Sequence, residues 1–173
     1  QAQRRPVRGA LAGTGVAAVY ASPLERARAS AELIAEPHRL PVRLAPAFAE
    51  MTFGAWEGLT RDDIRARFPE EWEQWRSAPH LCAPLGGETV AKVAERIPAG
   101  VGEPQQAHAD QTIVLVSHSI VMRVMVLHAL GLGLDRLWTV DAAPGGITEL
   151  EYEPDWATVH RMNTVSHLDG VAP

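Results

Sequence analysis

A histidine lies where a predicted strand gives way to a predicted helix. Thr112–Ser117 is a run of mostly β-favouring residues that leads into Ser117-His118-Ser119, and apolar residues recur at helical spacing as far as Leu130. The N-terminus of a helix presents unpaired backbone N–H groups and the positive end of the helix dipole. We therefore expect His118 and Ser119 to lie where an anion is held, with the imidazole as an additional donor. Position alone leaves an alternative to this anion-binding role, in which His118 only hydrogen-bonds the backbone at the end of a strand.

A second junction of this kind carries an arginine. Val16–Ala21 predicts a short buried strand, and Ser22-Pro23-Leu24-Glu25 predicts a helix start, with Ser22 as the cap and Glu25 closing a capping box. Arg26 then falls in the first helical turn, where its charge opposes the helix dipole. This position favours an arginine that binds an anion in bidentate fashion over an arginine with a plain surface role.

Two glutamates flank an aromatic turn between these junctions. Glu50 and Glu57 lie on either side of Phe53-Gly54-Ala55-Trp56. Burial among aromatic side chains raises the pKa of a carboxyl group, which suits a proton donor. We interpret one of the two as a candidate general acid and the other as structural, while the competing interpretation is that both only anchor the loop.

The other histidines and the cysteine indicate no further chemistry. Five histidines fall in loops or near the C-terminus: His38, His80, His108, His160 and His167. His128 falls in the apolar stripe of its helix and is expected in the core. No pair has metal-ligand spacing, so no metal site is predicted. Cys82 is the single cysteine, and nothing marks its thiol as activated.

Composition and charge exclude several classes of partner. The 173 residues suit one domain, and the formal net charge of −5 with scattered basic residues argues against binding to nucleic acid or a membrane surface. No apolar stretch is long enough to span a bilayer and no signal peptide is evident, so a cytoplasmic location is the default prediction. A homodimer remains open.

The order of the elements predicts how these residues are positioned. Strands are predicted at Val16–Ala21, Pro41–Leu44 and Thr112–Ser117, with a terminal hairpin of Ile147–Tyr152 and Trp156–Met162. Because the first three alternate with helices, the chain is predicted to be α/β, with a mostly parallel sheet covered by helices on both faces. Ligands of such sheets collect at the carboxyl ends of the strands, where both junctions lie.

Helices are predicted in the intervals between the strands. Residues 1–12 indicate the end of a helix, and Arg61–Trp75 predicts a longer one with aromatic side chains along one side. Gly86–Thr89 predicts a turn and a helix start. We expect Pro98 and Pro104 to break that helix and to begin a loop.

Four segments in this order resemble the histidine phosphatase superfamily, which has the phosphoglycerate-mutase-like fold of three α/β/α layers. The segments are YASPLERARASAE, FAEMTFGAWEGLT, PLGGETV and VSHSIVMRV, and the resemblance extends from residue 1 to about 168. It implies that Arg26 binds phosphate, that Glu50 is the general acid and that His118 is the second active-site histidine. Ser119 is placed beside it among the phosphate-binding residues, and Glu57 is a structural part of the loop.

The resemblance also implies an activity and a layout. It implies a single domain over residues 1–173, with residues 61–85 as a lid, and hydrolysis of a small phosphate ester through a phosphohistidine without metal or cofactor. Mutases of the family carry a longer insertion, whereas here 29 residues separate Gly58 from Glu88, which favours a phosphatase. The alternatives are mutase-type phosphoryl transfer, a non-catalytic phosphate-binding module and a purely structural partner protein.

The chain departs from the family pattern in one respect. The family opens with a strand that ends in Arg-His-Gly, whose histidine is the nucleophile, and this triplet does not occur here. We therefore expect that the natural protein has roughly 30 to 40 further residues upstream, judged against ordinary element lengths. We also expect no phosphatase activity from these 173 residues alone.

Overall fold

The structure, a computed structural model, describes residues 4–169 of the chain. Its α-helices are α1 (Arg4–Leu11), α2 (Glu25–Ala35), α3 (Arg61–Arg67), α4 (Pro69–Ser77), α5 (Val90–Ala107) and α6 (Ser119–Ala129). Its strands are β1 (Val16–Ala21), β2 (Val42–Leu44), β3 (Thr112–Val116), β4 (Ile147–Tyr152) and β5 (Ala157–Thr164). The predicted N-terminal helix is observed as α1, but the part of the prediction that covers residues 1–3 lies outside the described residues.

Three parallel strands form the central sheet, in the order β2-β1-β3. Val114 and Val116 of β3 pack on one cluster, which contains residues of β1 and α2. Leu115, which lies between them, packs instead on the cluster built from α5 and α6. Because successive side chains of a strand point to opposite faces, α2 covers one face of the sheet, and α5 and α6 cover the other. The predicted α/β fold with a mostly parallel sheet is confirmed.

The sheet has an open edge at β3. Within residues 4–169, β3 pairs with β1 only, while β4 and β5 form the separate antiparallel hairpin that the sequence predicts. The apolar residues 113–116 of β3 are only half-buried. In the part of the chain that the structure describes, this edge therefore presents backbone groups with no ladder partner.

The prediction that prolines end the helix after Thr89 is wrong. Helix α5 continues to Ala107 with Pro98 and Pro104 inside it. Each proline removes one helical hydrogen bond, at about 3 kcal/mol in an exposed helix. The helix persists because it carries an apolar stripe, in which Val90, Val93 and Ile97 are fully buried and contribute about 1.5–3 kcal/mol each. Tertiary burial outweighs the local propensity.

The single helix predicted over Arg61–Trp75 is two helices. α3 begins at a capping box, in which the hydroxyl of Thr60 accepts from the backbone of Asp63 and the carboxylate of Asp63 accepts in return. α4 begins with Pro69. A proline disfavours helical geometry at the residue before it, and Phe68 accordingly lies outside the helical region, with a φ of −132° and a ψ of 57°.

The turn at Gly86-Gly87 contacts the aromatic turn backbone to backbone. Ala55 N donates to Leu85 O at 2.9 Å, and Glu88 N donates to Thr52 O at 2.8 Å. Gly54 has a φ of +53°, and a Cβ atom there would overlap the backbone of Leu85 and of Gly87. Gly86–Thr89 is therefore more than a turn before a helix, because it holds the loop that carries Glu50.

We predict that Gly54→Ala destabilises the protein much more than Gly58→Ala. Both glycines have positive φ, so both substitutions carry a strain of about 1–2 kcal/mol. Only at Gly54 does the new methyl meet backbone, whereas the space around Gly58 is open. We expect a further loss of about 1–3 kcal/mol for Gly54→Ala in urea unfolding. Equal losses in the two variants would show that the contact between the turns is loose.

Candidate functional site

The two junctions predicted to bind an anion lie side by side. Ser22 N, just after β1, donates to Val116 O at the end of β3 over 3.0 Å. This bond extends the parallel ladder by one residue, so that the segments after β1 and β3 leave the sheet at the same edge. Across the gap His118 Nε2 lies 2.7 Å from Ser22 Oγ.

Ser22 does not cap α2, and the prediction of a capping box with Glu25 is wrong. The helix begins at Glu25, and its N-cap residue is Leu24, which makes no side-chain cap bond. The Ser22 side chain is fully buried, and its hydroxyl contacts His118 while accepting a 3.3 Å bond from Leu24 N. The hydroxyl is thus engaged with the imidazole and with the backbone of the N-cap residue, and it caps no N–H group within the helix.

His118 is buried, and its surroundings disfavour the protonated imidazole. It precedes the first residue of α6 and is 8% exposed. Burial, followed by the charges of Arg26 and Arg96, lowers the pKa of His118 to about 4. With no anion present, the imidazole is therefore neutral at neutral pH.

Arg26 and Glu50 face the same cleft. Arg26 lies exposed in the first turn of α2, and Glu50 follows the short 3-10 helix Pro46–Phe48. Burial raises the pKa of Glu50, while backbone bonds from Met51 and the first turn of α6, together with the charge of Arg26, oppose that rise. The carboxyl group is thus held at the N-terminus of the helix that His118 precedes.

Ser119 and Glu57 are placed less centrally. Ser119 is exposed on the first turn of α6, and its hydroxyl lies 3.4 Å from Arg123 Nε. Glu57 accepts a 3.1 Å bond from Phe53 N, a contact that fits a structural role in the loop. His128, expected in the core, is instead exposed. It lies in the last turn of α6, where a histidine suits the negative end of the helix dipole.

Arg96 and Glu88 hold the Glu50 loop. Glu88 lies in the PLGGETV segment but has no role assigned from the sequence, and no sequence signal points to Arg96. The Arg96 guanidinium donates to the carbonyls of Ala47 and Ala49, the latter at 2.6 Å. Its Nε lies 3.6 Å from Glu88, whose other carboxylate oxygen accepts from Thr52 N at 2.9 Å. The pair is separated by eight positions and does not follow the i,i+4 rule, so helical periodicity could not reveal it.

The cleft that Arg26 and Glu50 line has a volume of 1080 Å³. Its walls are rich in aromatic side chains, namely Phe53, Trp56, Trp72, Trp75 and Trp138. Glu57, Arg61 and Arg76 also line it. The arrangement combines a cationic group and a carboxyl group of raised pKa with a large apolar space.

Residues 4–169 present neither a metal-binding cluster nor a membrane-spanning helix. This part of the chain holds no group of three or more His, Cys, Asp or Glu residues arranged to bind a metal ion. None of its helices combines the length and the apolarity needed to cross a membrane. Burial raises the pKa of Cys82 to about 11, with the charge of Glu71 adding to the effect, so the thiol stays protonated.

Acid should destabilise the protein through His118. The pKa of an unfolded histidine is about 6.5, so between about pH 6.5 and 4 the unfolded chain binds more protons than the folded one. The free energy of unfolding therefore falls as the pH falls through this window. In phosphate-free buffer, we expect wild type to lose on the order of 2 kcal/mol more than His118→Gln between pH 7 and pH 4.5.

The opposite effect of the raised Glu50 pKa is present in both proteins and cancels in this comparison. His160→Gln, at an exposed histidine on β5, is the control and should follow wild type. Parallel losses in wild type and His118→Gln would mean that the imidazole is not held neutral by its surroundings.

The sequence is similar to those of known phosphatases. A family model described as histidine phosphatase superfamily (branch 1) matches residues 1–165. Phosphoserine phosphatase 1 of Hydrogenobacter thermophilus is 30% identical over 150 residues, which cover 87% of this chain and 71% of that protein. The adenosylcobalamin/alpha-ribazole phosphatase of Escherichia coli is 25% identical over 154 residues, which cover 89% of this chain and 76% of that protein.

A solved structure agrees with this match. YhfR of Bacillus stearothermophilus superposes with a TM-score of 0.92 at 27% identity, over 97% of this chain and 84% of that one. A family match over nearly the whole chain and a relative at 30% identity lead to the same conclusion. The chain belongs to the histidine phosphatase superfamily and has its phosphoglycerate-mutase-like fold.

Proposed function

We propose that the protein is a phosphomonoester hydrolase that acts through a phosphohistidine, with Arg26, Glu50, His118 and Ser119 around the phosphate. The observation that carries the proposal is the meeting of three groups at one sheet edge. The charge of Arg26 acts there both on the buried imidazole of His118 and on the carboxyl group of Glu50, whose pKa burial raises. The relatives named above are phosphatases, which supports hydrolysis.

Arg26 and His118 bind the phosphate in this proposal. The guanidinium pairs with two phosphate oxygens, and the imidazole donates to a third from its place at the start of α6. Burial and the charges of Arg26 and Arg96 lower the pKa of His118, and an incoming dianion offsets those charges, so binding favours protonation of the imidazole. These side chains supply the positive charge, and the proposal includes no metal and no cofactor.

The nucleophile of the proposed reaction is the histidine of the family's Arg-His-Gly triplet, which these 173 residues do not contain. We place it on a strand beside the open edge of β3. The carboxyl end of a parallel strand there would lie next to the start of α6. The nucleophile attacks phosphorus, and the bond to the leaving oxygen breaks as a phosphohistidine forms.

Glu50 moves the protons. Its carboxyl group protonates the leaving oxygen in the first step. In the second step, the carboxylate takes a proton from water as the water oxygen attacks phosphorus, and the phosphorus–nitrogen bond breaks to release inorganic phosphate. A buried carboxyl group of raised pKa suits both roles.

The substrate of the proposal is a small phosphate ester held under residues 61–85, which act as the lid of a single domain. Within this segment, Trp72 and Trp75 line the cleft. The relatives act on different esters, as the names phosphoserine phosphatase and alpha-ribazole phosphatase say, so they do not specify the substrate here. The phosphatase names and the short segment between Gly58 and Glu88 favour hydrolysis over mutase-type transfer.

We predict that His118→Ala lowers kcat/KM for phosphate esters by roughly two to three orders of magnitude, because one donor to the phosphoryl oxygens is lost. The measurement uses protein made from the full reading frame. His160→Ala is the control and should keep wild-type activity. A decrease below threefold would remove His118 from the mechanism. Wild type that binds phosphate but hydrolyses no ester would support the alternative of a phosphate-binding module.

We predict that Glu50→Gln slows esters of poor leaving groups far more than activated aryl esters, because only the former need a proton on the departing oxygen. A simple alkyl phosphate and p-nitrophenyl phosphate are compared in the same protein. Equal slowing of the two esters would count against Glu50 as the general acid.

A further inference from the structure

We infer that the ester bound in this cleft carries a bulky aromatic or apolar alcohol part, and that Trp138 is the residue that selects it. The inference rests on the proposed function, because it takes the phosphate to lie at Arg26 and Glu50. It goes beyond that function by naming the chemical class of the rest of the substrate.

The size and lining of the cleft are the first observation. Ligand sites commonly have volumes of about 300–1,000 Å³, and this one has 1080 Å³. Five aromatic side chains line it, with Met51, Leu59 and Ile64 among its other apolar residues. A phosphate alone fills a small part of this space, so the remaining walls are available to an apolar group.

The polar groups of the cleft are partly engaged already. The Glu57 carboxylate accepts from Phe53 N at 3.1 Å, and Arg76 lies 3.6 Å from Glu73. The backbone N–H of Thr52 is bound by Glu88 at 2.9 Å. Among the described residues that line the cleft, Arg61 is the cation left besides Arg76 and Arg26, which is assigned to the phosphate. The cleft thus has few unengaged polar groups to bind a hydrophilic alcohol part, whereas its apolar walls can contact an apolar one.

Trp138 combines exposure with a fixed orientation. Trp56 and Trp75 are 3% and 7% exposed and belong to the core, whereas Trp138 is 40% exposed. Its indole N–H donates to Trp75 O at 2.8 Å, and its ring lies edge-on to that of Trp75 with centroids 5.0 Å apart.

A third contact fixes the ring. The guanidinium carbon of Arg123 lies 5.2 Å from the Trp138 ring centroid, a cation–π distance. An indole that is oriented before a ligand arrives loses little conformational freedom on binding. Burial of its exposed surface by an apolar ligand therefore contributes to the binding free energy with little entropic cost. Trp156, on the turn of the β4–β5 hairpin, is 62% exposed but does not line the cleft.

The test measures binding of two phosphonates, which cannot be hydrolysed, to protein made from the full reading frame. Calorimetry compares 1-naphthylmethylphosphonate with methylphosphonate. Burial of the naphthyl group against the aromatic walls should make the first bind at least about tenfold more tightly in wild type. Trp138→Ala should reduce the ratio to below about threefold without changing the affinity for methylphosphonate.

Two variants and a stability measurement complete the design. Trp156→Ala is the matched control, since it removes an exposed tryptophan outside the cleft, and it should keep the wild-type ratio. Trp138→Leu keeps an apolar side chain but removes the indole, so it should also lower the ratio, and it serves as the test if Trp138→Ala proves unstable in thermal unfolding. A ratio near one in wild type, or a wild-type ratio in every folded Trp138 variant, overturns the inference.

The design separates this inference from the proposed function. Arg26→Gln should weaken both phosphonates together, because they share the phosphonate group. If methylphosphonate does not bind, or binds independently of Arg26, the phosphate site is wrong and the inference fails with it. If methylphosphonate depends on Arg26 but the naphthyl group adds nothing, the phosphate site stands and only the inference is overturned.

Discussion

The parallel pairing of β1 with β3 is the constraint on which the site depends. Its register ends with Ala21 opposite Val116, and one further bond, from Ser22 N to Val116 O, carries it to the point where both chains leave the sheet. Ser22 and His118 then meet at 2.7 Å although 96 positions separate them. A slip of one residue would turn every β3 side chain to the other face and would separate the helix of Arg26 from α6.

A second constraint acts on the loop of Glu50, which has little secondary structure of its own. Arg96 binds two carbonyls on one side of Glu50, and Glu88 binds backbone on the other. The side chains of this pair are 22% and 25% exposed, so loss of one partner would leave the other poorly solvated. Burial and the charge of Arg26 lower the pKa of His118, and the charge of Arg96 adds to the same shift, so the guanidinium that fixes the Glu50 loop also acts on the imidazole.

Features that depend on local signals could be predicted from the sequence. The strands, the terminal hairpin and the alternation of strand with helix follow from runs of a few residues, and the two polar junctions follow from that alternation. Features decided by distant contacts could not. The hydroxyl of Ser22 is a good cap in isolation, but it is committed to a histidine 96 positions away. A proline such as Pro98 usually ends a helix, yet here the buried apolar stripe keeps α5 intact.

The backbone contact at Gly54 and Gly87 has a consequence for the segment between the two turns. The chain leaves the loop near Gly58 and returns at Leu85, whose carbonyl accepts from Ala55 N at 2.9 Å. Both ends of the segment 59–84 are therefore fixed by the same backbone contact, whatever the length of the segment. Closing a longer segment costs only about 0.6 kcal/mol for each doubling of its length. An insertion or replacement between these two turns can thus leave the sheet edge beneath it unaltered.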